Sequence, residues 1–307
     1  MGTQNDHDSQ VLLGLHWQEG SPVVRRRIEN ETESRFDPLV HMELHYRIST
    51  EGRRVCLGHT AMTKNGSRYN ECRNKLNKGR KCPKCSAAEA MYAANLHHAH
   101  TKDRTEMSLE FRQHMEQPNY LYLARFSDGS IKVGTTTSQR KDRRLEEQGA
   151  CQAMIVAKTP DGFSVRIIED RITAELSIPQ AVSTKRKITG LVSPKNTEQA
   201  TEELSIMTHR VHHLLERADE LDCEILQLPW ENVGLQTNLW KNVHRYPRHL
   251  STGAHSLKIL GALGRVAAFT PDSSSDVFIA DLGELFGIEL ENGIFPTEDL
   301  LVQDSLF

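Results

Sequence analysis

The fold is decided by a stretch in the middle of the chain: Tyr120-Leu-Tyr-Leu-Ala-Arg-Phe126, then Ser127-Asp-Gly-Ser130, then Ile131-Lys-Val133. Aromatic and β-branched residues favour strands. An Asp-Gly pair between two apolar runs is typical of a tight hairpin turn. The stretch therefore predicts two antiparallel strands joined by a short turn.

The residues that follow alternate between helix and strand patterns. Residues 135–148 are rich in charge and end at Gly149, which is typical of a helix with a glycine after its last residue. Residues 153–157 form a short apolar run, and residues 163–176 repeat apolar side chains at helical spacing. The order hairpin, helix, strand, helix predicts a small central sheet flanked by helices.

The composition is that of an ordinary folded protein. Of the 307 residues, 37% are hydrophobic and 26% are charged, which excludes collagen-like, coiled-coil and wholly disordered classes. No apolar run reaches the roughly 18–20 residues that a membrane-spanning helix needs, so we expect no membrane contact. The polar N-terminus lacks the pattern of a secretory signal. We therefore expect a cytoplasmic protein, and the sequence leaves its oligomeric state open.

Four of the six cysteines lie within thirty residues, in a stretch too polar to build a core of its own. Cys82-Pro-Lys-Cys85 has the spacing at which two thiolates hold one ion from a single turn, and Cys56 and Cys72 could complete a tetrahedral site. The economical interpretation is structural zinc, because cytoplasmic cysteines are usually reduced. Two alternatives stay open: four unconnected thiols, or a site in which His59 replaces one cysteine.

The net charge of −3 hides a strong internal asymmetry. Residues 53–85 carry ten Lys or Arg and one Glu, whereas residues 272–307 carry nine Asp or Glu and no Lys or Arg. Several basic patches in one chain favour a polyanion, because each neutralised phosphate releases counterions. The alternative interpretation is solvated surface. The candidate nucleic-acid-binding residues are Lys78, Arg80, Lys81, Arg140, Lys141, Arg143, Lys185 and Arg186.

The helix predicted over residues 163–176 carries a carboxylate at the edge of its apolar face. At about 100° per residue, the apolar side chains share one arc, and Glu169 lies about 55° from the centre of that arc. Asp170 points about 155° away from it. Glu169 therefore either faces a cleft or covers apolar area with its stem.

The motifs of this central region resemble those of the GIY-YIG nuclease superfamily. The matching features are Tyr120-Leu121-Tyr122, then Lys132-Val133-Gly134, an arginine-rich helix, and a later helix with Glu169. The second motif is of the variant that begins with Lys instead of Tyr. The run that ends Arg144-Leu-Glu-Glu-Gln-Gly-Ala150, with the later Glu169 and Lys185-Arg186, is also similar to a bacterial, notably actinobacterial, family known as domain of unknown function 2797.

The resemblance to the nucleases implies roles for individual residues. In those enzymes the tyrosine of the first motif helps to activate water, the helix arginine stabilises phosphate charge, and a glutamate holds one divalent cation. These roles correspond to Tyr122, Arg144 and Glu169, with Mg²⁺ or Mn²⁺ as the cation. Lys132 stands where many members have a second tyrosine, and it could bind phosphate instead.

These patterns together predict an α+β protein of four segments. They are an N-terminal β segment (1–55), a four-cysteine zinc module with helices (56–117), a GIY-YIG-like domain (118–195), and a long helix with a C-terminal β region (196–307). Strand patterns dominate the first segment and return beyond Pro229.

Three functional hypotheses follow. The first is a nucleic-acid-binding protein that is a divalent-metal-dependent endonuclease, hydrolysing phosphodiester bonds in DNA or RNA. The second is a catalytically inactive, zinc-containing protein that binds DNA or RNA. The third is an assembly protein whose acidic C-terminal region meets the basic zinc loop and restrains access of nucleic acid.

Overall fold

The computed structural model describes residues 9–48, 52–63, 66–218 and 220–295. In these ranges the strands are β1 (Ser9–Gln18), β2 (Ser21–Ile28), β3 (Arg35–Pro38), β4 (Glu43–Ile48), β5 (Arg54–Val55), β6 (His59–Thr63), β7 (Gly66–Asn70), β8 (Lys75–Leu76), β9 (Asn119–Arg125), β10 (Ile131–Thr137), β11 (Gln152–Thr159), β12 (Glu224–Glu231), β13 (His244–Arg245), β14 (Ala254–Leu263), β15 (Val266–Pro271), β16 (Phe278–Asp281) and β17 (Glu289–Asn292). The helices are α1 (Pro83–His97), α2 (Leu109–Met115), α3 (Lys141–Gln148), α4 (Gly162–Leu176), α5 (Thr184–Val192) and α6 (Thr197–Glu216). The α+β prediction is confirmed. Within the described ranges, no helix is both long and apolar enough to cross a bilayer.

The predicted hairpin is confirmed and lies in a four-stranded antiparallel sheet with the order β10-β9-β11-β12. Its turn contains Gly129, whose φ of +80° lies in the left-handed region that glycine adopts without strain. Strand β12 follows α6 in the chain and pairs with β11 at the sheet edge. The central sheet therefore includes a strand from the segment after residue 195.

The prediction of a helix over residues 135–148 is wrong for residues 135–140. Residues up to Thr137 continue strand β10, a 3-10 turn follows, and α3 begins only at Lys141. The three consecutive threonines are β-branched and pair with β9, so strand pairing decides their conformation. The predicted helix end is confirmed, because Gly149 has a φ of +66° directly after α3.

The two faces of the central sheet are covered by different helices. Leu121 and Leu123 of β9 pack with α4 and α6. Tyr122 and Ala124 of the same strand pack with Leu145 of α3. Successive strand residues point to opposite faces, so the sheet presents Tyr122 to the arginine-rich helix.

The N-terminal and C-terminal strands form one nine-stranded sheet with the order β13-β16-β15-β14-β4-β17-β1-β2-β3. Strand β1 pairs with β17, and β4 pairs with β14 and β17. The buried side chains Leu12, Tyr46 and Leu257 belong to its core. Segments 1–55 and 196–307 therefore share a core, while the four-segment division itself stays a prediction.

The cysteine module is attached to the edge of this large sheet. The guanidinium of Arg25 lies between the rings of Phe36 and Tyr69, at 4.5 and 4.1 Å from their centroids. Arg27 and Glu71 form an ion pair of 2.6 Å. These contacts link β2 and β3 to the β6–β7 hairpin, so the module has a fixed position relative to the sheet.

Candidate functional site

The four clustered cysteines come together in space. Their Sγ atoms all lie within 4.8 Å of one another. Cys56, Cys82 and Cys85 are buried, and Cys72 is half-buried. Zinc–thiolate bonds of about 2.3 Å in a tetrahedron place the sulfur atoms about 3.8 Å apart. The predicted cluster is confirmed; it could hold a metal ion, and its four thiols are consistent with zinc.

Local backbone structure explains how the cysteines converge. Cys82 stands at the N-cap of α1 and Cys85 lies in its first turn. Gly58 has a φ of +69°, and a Cβ there would lie 2.2 Å from the backbone oxygen of Asn70, so this turn requires glycine. The Nδ1 atom of His59 lies 3.4 Å from Sγ of Cys85. His59 is therefore an outer hydrogen-bond partner of the cluster and does not replace a cysteine.

An open cleft of about 750 Å³ separates the cysteine module and its helices from the central sheet. Arg140, Arg143, Arg144 and Arg166 line this arginine-lined cleft. Glu147 pairs with two of them, at 2.9 Å from Arg140 and 3.4 Å from Arg143. Further lining residues are Ser67, Tyr92, Leu96, His114, Gln117, Asn119, Thr135, Thr136, Thr137 and Gln139. The lining therefore offers excess positive charge together with hydroxyl and amide donors.

Tyr122 lies in the interior beside this cleft. Its hydroxyl accepts a hydrogen bond of 2.8 Å from Nε2 of Gln148. Burial raises the pKa of Tyr122, and the guanidinium of Arg144 opposes that rise. A Cβ at Gly134 would lie 2.5 Å from the Tyr122 hydroxyl. The glycine of the Lys-Val-Gly motif is therefore the residue on which the tyrosine ring sits.

Glu169 is buried on α4 and is already paired. It is 4% exposed, and its carboxylate lies 2.5 Å from Nη1 of Arg166. The neighbouring Asp170 is exposed and lies 3.3 Å from His100. The helical geometry of the sequence thus places these two acids correctly, with Glu169 inward and Asp170 outward.

Lys132 is buried close to the same charges. Burial, then the positive charges of Arg144 and Lys187, lower the pKa of Lys132 to about 7, while Glu169 acts in the opposite direction. Its ammonium donates a hydrogen bond of 3.1 Å to the backbone oxygen of Gln180. Lys132 and Glu169 thus lie in the interior, whereas Arg144, whose charge also acts on the pKa of Lys132, lines the cleft.

Some predicted binding residues lie away from the arginine-lined cleft. Arg186 pairs with Asp128 at 2.9 Å, and its neighbour Lys185 is exposed on α5. Lys141 lies 5.7 Å from the ring centroid of Tyr120. Lys185 and Arg186 are exposed and Lys141 is half-buried, and none of the three lines the cleft.

The basic residues of the cysteine module have mixed surroundings. The guanidinium of Arg80 donates to the backbone oxygen of Gly283 at 2.8 Å, which holds the module to the large sheet. Lys81 pairs with Glu89 at 3.0 Å, and Lys78 is exposed. Arg80 and Lys81 are therefore engaged by other groups of the chain, while Lys78 extends into solvent.

The acidic C-terminal region has partners of its own within the described ranges. Glu291 pairs with Arg47 at 2.9 Å, and Asp281 pairs with Arg265 at 2.7 Å. Its last acids fall within residues 296–307, which lie outside the described residues. Contact between this region and the basic zinc loop stays a hypothesis.

Sequence reasoning missed two residues near the predicted site. They are Arg166, which pairs with Glu169, and Lys187, which bonds the backbone of Gln148. Arg166 lies three residues before Glu169, a helical spacing that could have indicated the ion pair. Nζ of Lys187 donates to the backbone oxygen of Gln148 at 2.7 Å, and the side chain of Gln148 in turn bonds Tyr122. Nothing local in the sequence indicates this second contact, because 39 positions separate Lys187 from Gln148.

Comparison with known proteins gives one family. The family model described as protein of unknown function (DUF2797) matches residues 43–236. No curated protein and no solved structure matches the chain. The matched range covers more than half of the chain and includes the four cysteines, the central sheet and the arginine-lined cleft.

Proposed function

We propose that this chain, which belongs to the DUF2797 family, binds nucleic acid by holding phosphates of the backbone in the arginine-lined cleft. The observation that carries the proposal is the convergence of Arg140, Arg143, Arg144 and Arg166 on one open cavity of about 750 Å³. Guanidinium groups bind phosphate through paired, charge-assisted hydrogen bonds.

The balance of charge in the cleft supports an anionic ligand. Glu147 is shared by Arg140 and Arg143, and Glu169 pairs with Arg166. Four guanidinium groups thus meet two carboxylates, and the remaining charge favours a polyanion. The hydroxyl and amide side chains of the lining suit phosphate and sugar contacts, which position a nucleic acid without reading its sequence.

We assign zinc to the four-cysteine cluster, with a structural role. A closed site of four thiolates leaves no open position for water or substrate, so its contribution is to folding. Cys82 and Cys85 stand at the start of α1, and Tyr92 and Leu96 of that helix line the cleft. Zinc would therefore hold one wall of the cleft in place. The cytoplasmic location stays a prediction.

Metal-dependent cleavage is a second candidate function, favoured by one observation. Nζ of Lys132 lies 5.8 Å from the centroid of the Tyr122 ring, and the charges of Arg144 and Glu169 act on the pKa of both residues; the resemblance to the GIY-YIG nucleases implies that these four residues form one site. A divalent cation bound with one carboxylate and a substrate phosphate would supply an activated water. Arg166 now holds the carboxylate of Glu169, so a cation there would have to replace that guanidinium.

Binding and cleavage assays on one set of variants separate the two functions. The zinc-loaded protein is mixed with fluorescent single-stranded DNA, duplex DNA and structured RNA, with Mg²⁺, Mn²⁺ or chelator. Arg144→Gln is expected to weaken binding about tenfold, the value of one lost charge-assisted contact. Arg186→Gln, which lies away from the cleft, is the matched control and should bind like the wild type.

Comparison of the wild type with Glu169→Gln decides whether the protein cleaves nucleic acid. Cleavage by the wild type that chelator and this substitution both abolish would establish the endonuclease. Binding by both proteins without cleavage would leave the binding function alone. Absence of binding at low salt for all three nucleic acids would refute the proposal.

A further inference from the structure

A second cavity, of about 390 Å³, lies at the opposite end of strand β9 from the arginine-lined cleft. Asn119 at the start of the strand lines the cleft, and Arg125 at its end lines the second cavity. At about 3.3 Å per residue, these positions are about 20 Å apart. The two cavities are therefore separate places in the molecule.

The second cavity contains a buried cation without an acidic partner. Arg125 is 5% exposed, and its Nε donates a hydrogen bond of 2.9 Å to Oε1 of Gln152. Across the ranges that the structure describes, no carboxylate oxygen lies within 4 Å of the guanidinium of Arg125. Buried charges are normally paired, because leaving water is unfavourable for them. This guanidinium therefore favours an anion in the cavity.

One carboxylate, that of Glu231, also lines this cavity, and it lies two strands away from Arg125 on the sheet. Gln152 lies between Arg125 and Glu231 across strands β9, β11 and β12. Its Nε2 donates to Oε1 of Glu231 at 3.3 Å. The amide thus separates the two charges, and the terminal nitrogens of the guanidinium stay available to a ligand.

Other lining groups supply positive potential and an apolar wall. The cavity lies at the N-terminal end of the 20-residue helix α6, whose first residue Thr197 lines it, and helix N-termini favour anions. Lys241 is exposed at the rim, whereas Lys195 is paired with Glu203. Trp240 adds an apolar surface.

We propose that this cavity binds a phosphate group, with Arg125 as its main ligand and Lys241 at the rim. The ligand is a phosphorylated molecule whose organic part contacts the wall at Trp240. A free nucleotide and the phosphorylated end of a nucleic-acid strand share this chemistry. The proposal does not rest on the function of the arginine-lined cleft.

The test uses a reference protein in which the cleft is weakened, Arg140→Gln/Arg144→Gln, loaded with zinc. Inorganic phosphate, adenosine monophosphate and a 5′-phosphorylated oligonucleotide are titrated in a calorimeter, and the melting temperature is measured with and without phosphate. Adding Arg125→Met is expected to weaken phosphate binding at least tenfold, as loss of a charge-assisted pair does. Lys241→Gln, an exposed change that should not disturb folding, is expected to weaken it about threefold.

The same data distinguish binding from a purely structural role. Removing an unpaired buried charge should raise the melting temperature in phosphate-free buffer. A lower melting temperature with unchanged phosphate binding would overturn the proposal, as would wild-type affinity in both variants. If adenosine monophosphate binds and Arg125→Met weakens its binding, the ligand is a free nucleotide. If Arg125→Met weakens binding of the phosphorylated oligonucleotide alone, the ligand is the end of a nucleic-acid strand.

Discussion

Replacing Lys132 by methionine is expected to stabilise the protein near neutral pH and to lose this effect as the pH rises. Burial, with Arg144 and Lys187, lowers the pKa of Lys132 from 10.5 to about 7. A tenfold change in proton affinity is about 1.4 kcal/mol, so the protonated ammonium costs about 5 kcal/mol of folding free energy. This cost is fully present below pH 7 and declines between pH 7 and 10.5, where only the unfolded chain keeps the proton.

The substitution keeps the length of the side chain and removes its charge. It also removes the hydrogen bond to the backbone oxygen of Gln180, which is worth about 1 kcal/mol. We therefore expect Lys132→Met to be about 2–4 kcal/mol more stable than the wild type at pH 6.5. The difference should shrink by about 2–3 kcal/mol at pH 9, since the wild type gains about 1.4 kcal/mol per pH unit in this range.

Urea unfolding of both proteins at pH 6.5 and 9, in buffer containing zinc, measures the effect. The control is Lys258→Met, because Lys258 is exposed on β14 and the same substitution there removes no buried charge. A Lys132→Met protein that is less stable than the wild type at pH 6.5 would refute the reasoning. So would a stability difference that is equal at the two pH values.

Other expected outcomes concern the metal centre, the motif glycine and the buried ion pair. Cys82→Ser should reduce bound zinc from about one ion per chain, measured by release to a colorimetric chelator, because a three-thiolate site is open to water. Gly134→Ala should destabilise the protein by about 1–3 kcal/mol in urea unfolding, since its Cβ would meet the Tyr122 ring at 2.5 Å. The double variant Gly134→Ala/Tyr122→Leu should lose less stability than the sum of the two single losses. Glu169→Gln should cost about 2 kcal/mol of stability and raise oligonucleotide affinity, because it frees the charge of Arg166; unchanged stability and affinity would contradict this pairing.

Features set by near neighbours in the chain were predictable from the sequence. The Asp-Gly turn and its flanking apolar runs predicted the hairpin β9–β10, and the Cys82–Cys85 spacing helped to predict the four-cysteine cluster. Helical periodicity placed Glu169 on the inner side of α4. In each case the physical cause is a repeat or a turn that acts over a few residues.

Features set by distant parts of the chain were not predictable in the same way. Pairing of β1 with β17 joins residues that are about 280 positions apart, and no local pattern specifies that partner. The three threonines before α3 have charged neighbours that suggested a helix, but pairing with β9 extended the strand. The cleft depends on how the cysteine module is attached to the large sheet. Residue spacing in the sequence therefore could not predict that side chains of α1 and α2 line the cleft.

The salt dependence of oligonucleotide binding tests the central claim most directly. For the wild type, the logarithm of the binding constant for single-stranded DNA should fall linearly with the logarithm of salt concentration. Arg144→Gln should weaken binding and reduce the slope by about 0.7, the value for one lost phosphate contact on a single strand, while Arg186→Gln keeps the wild-type slope. Equal slopes for the wild type and Arg144→Gln would contradict the assignment of the arginine-lined cleft as the phosphate-binding site.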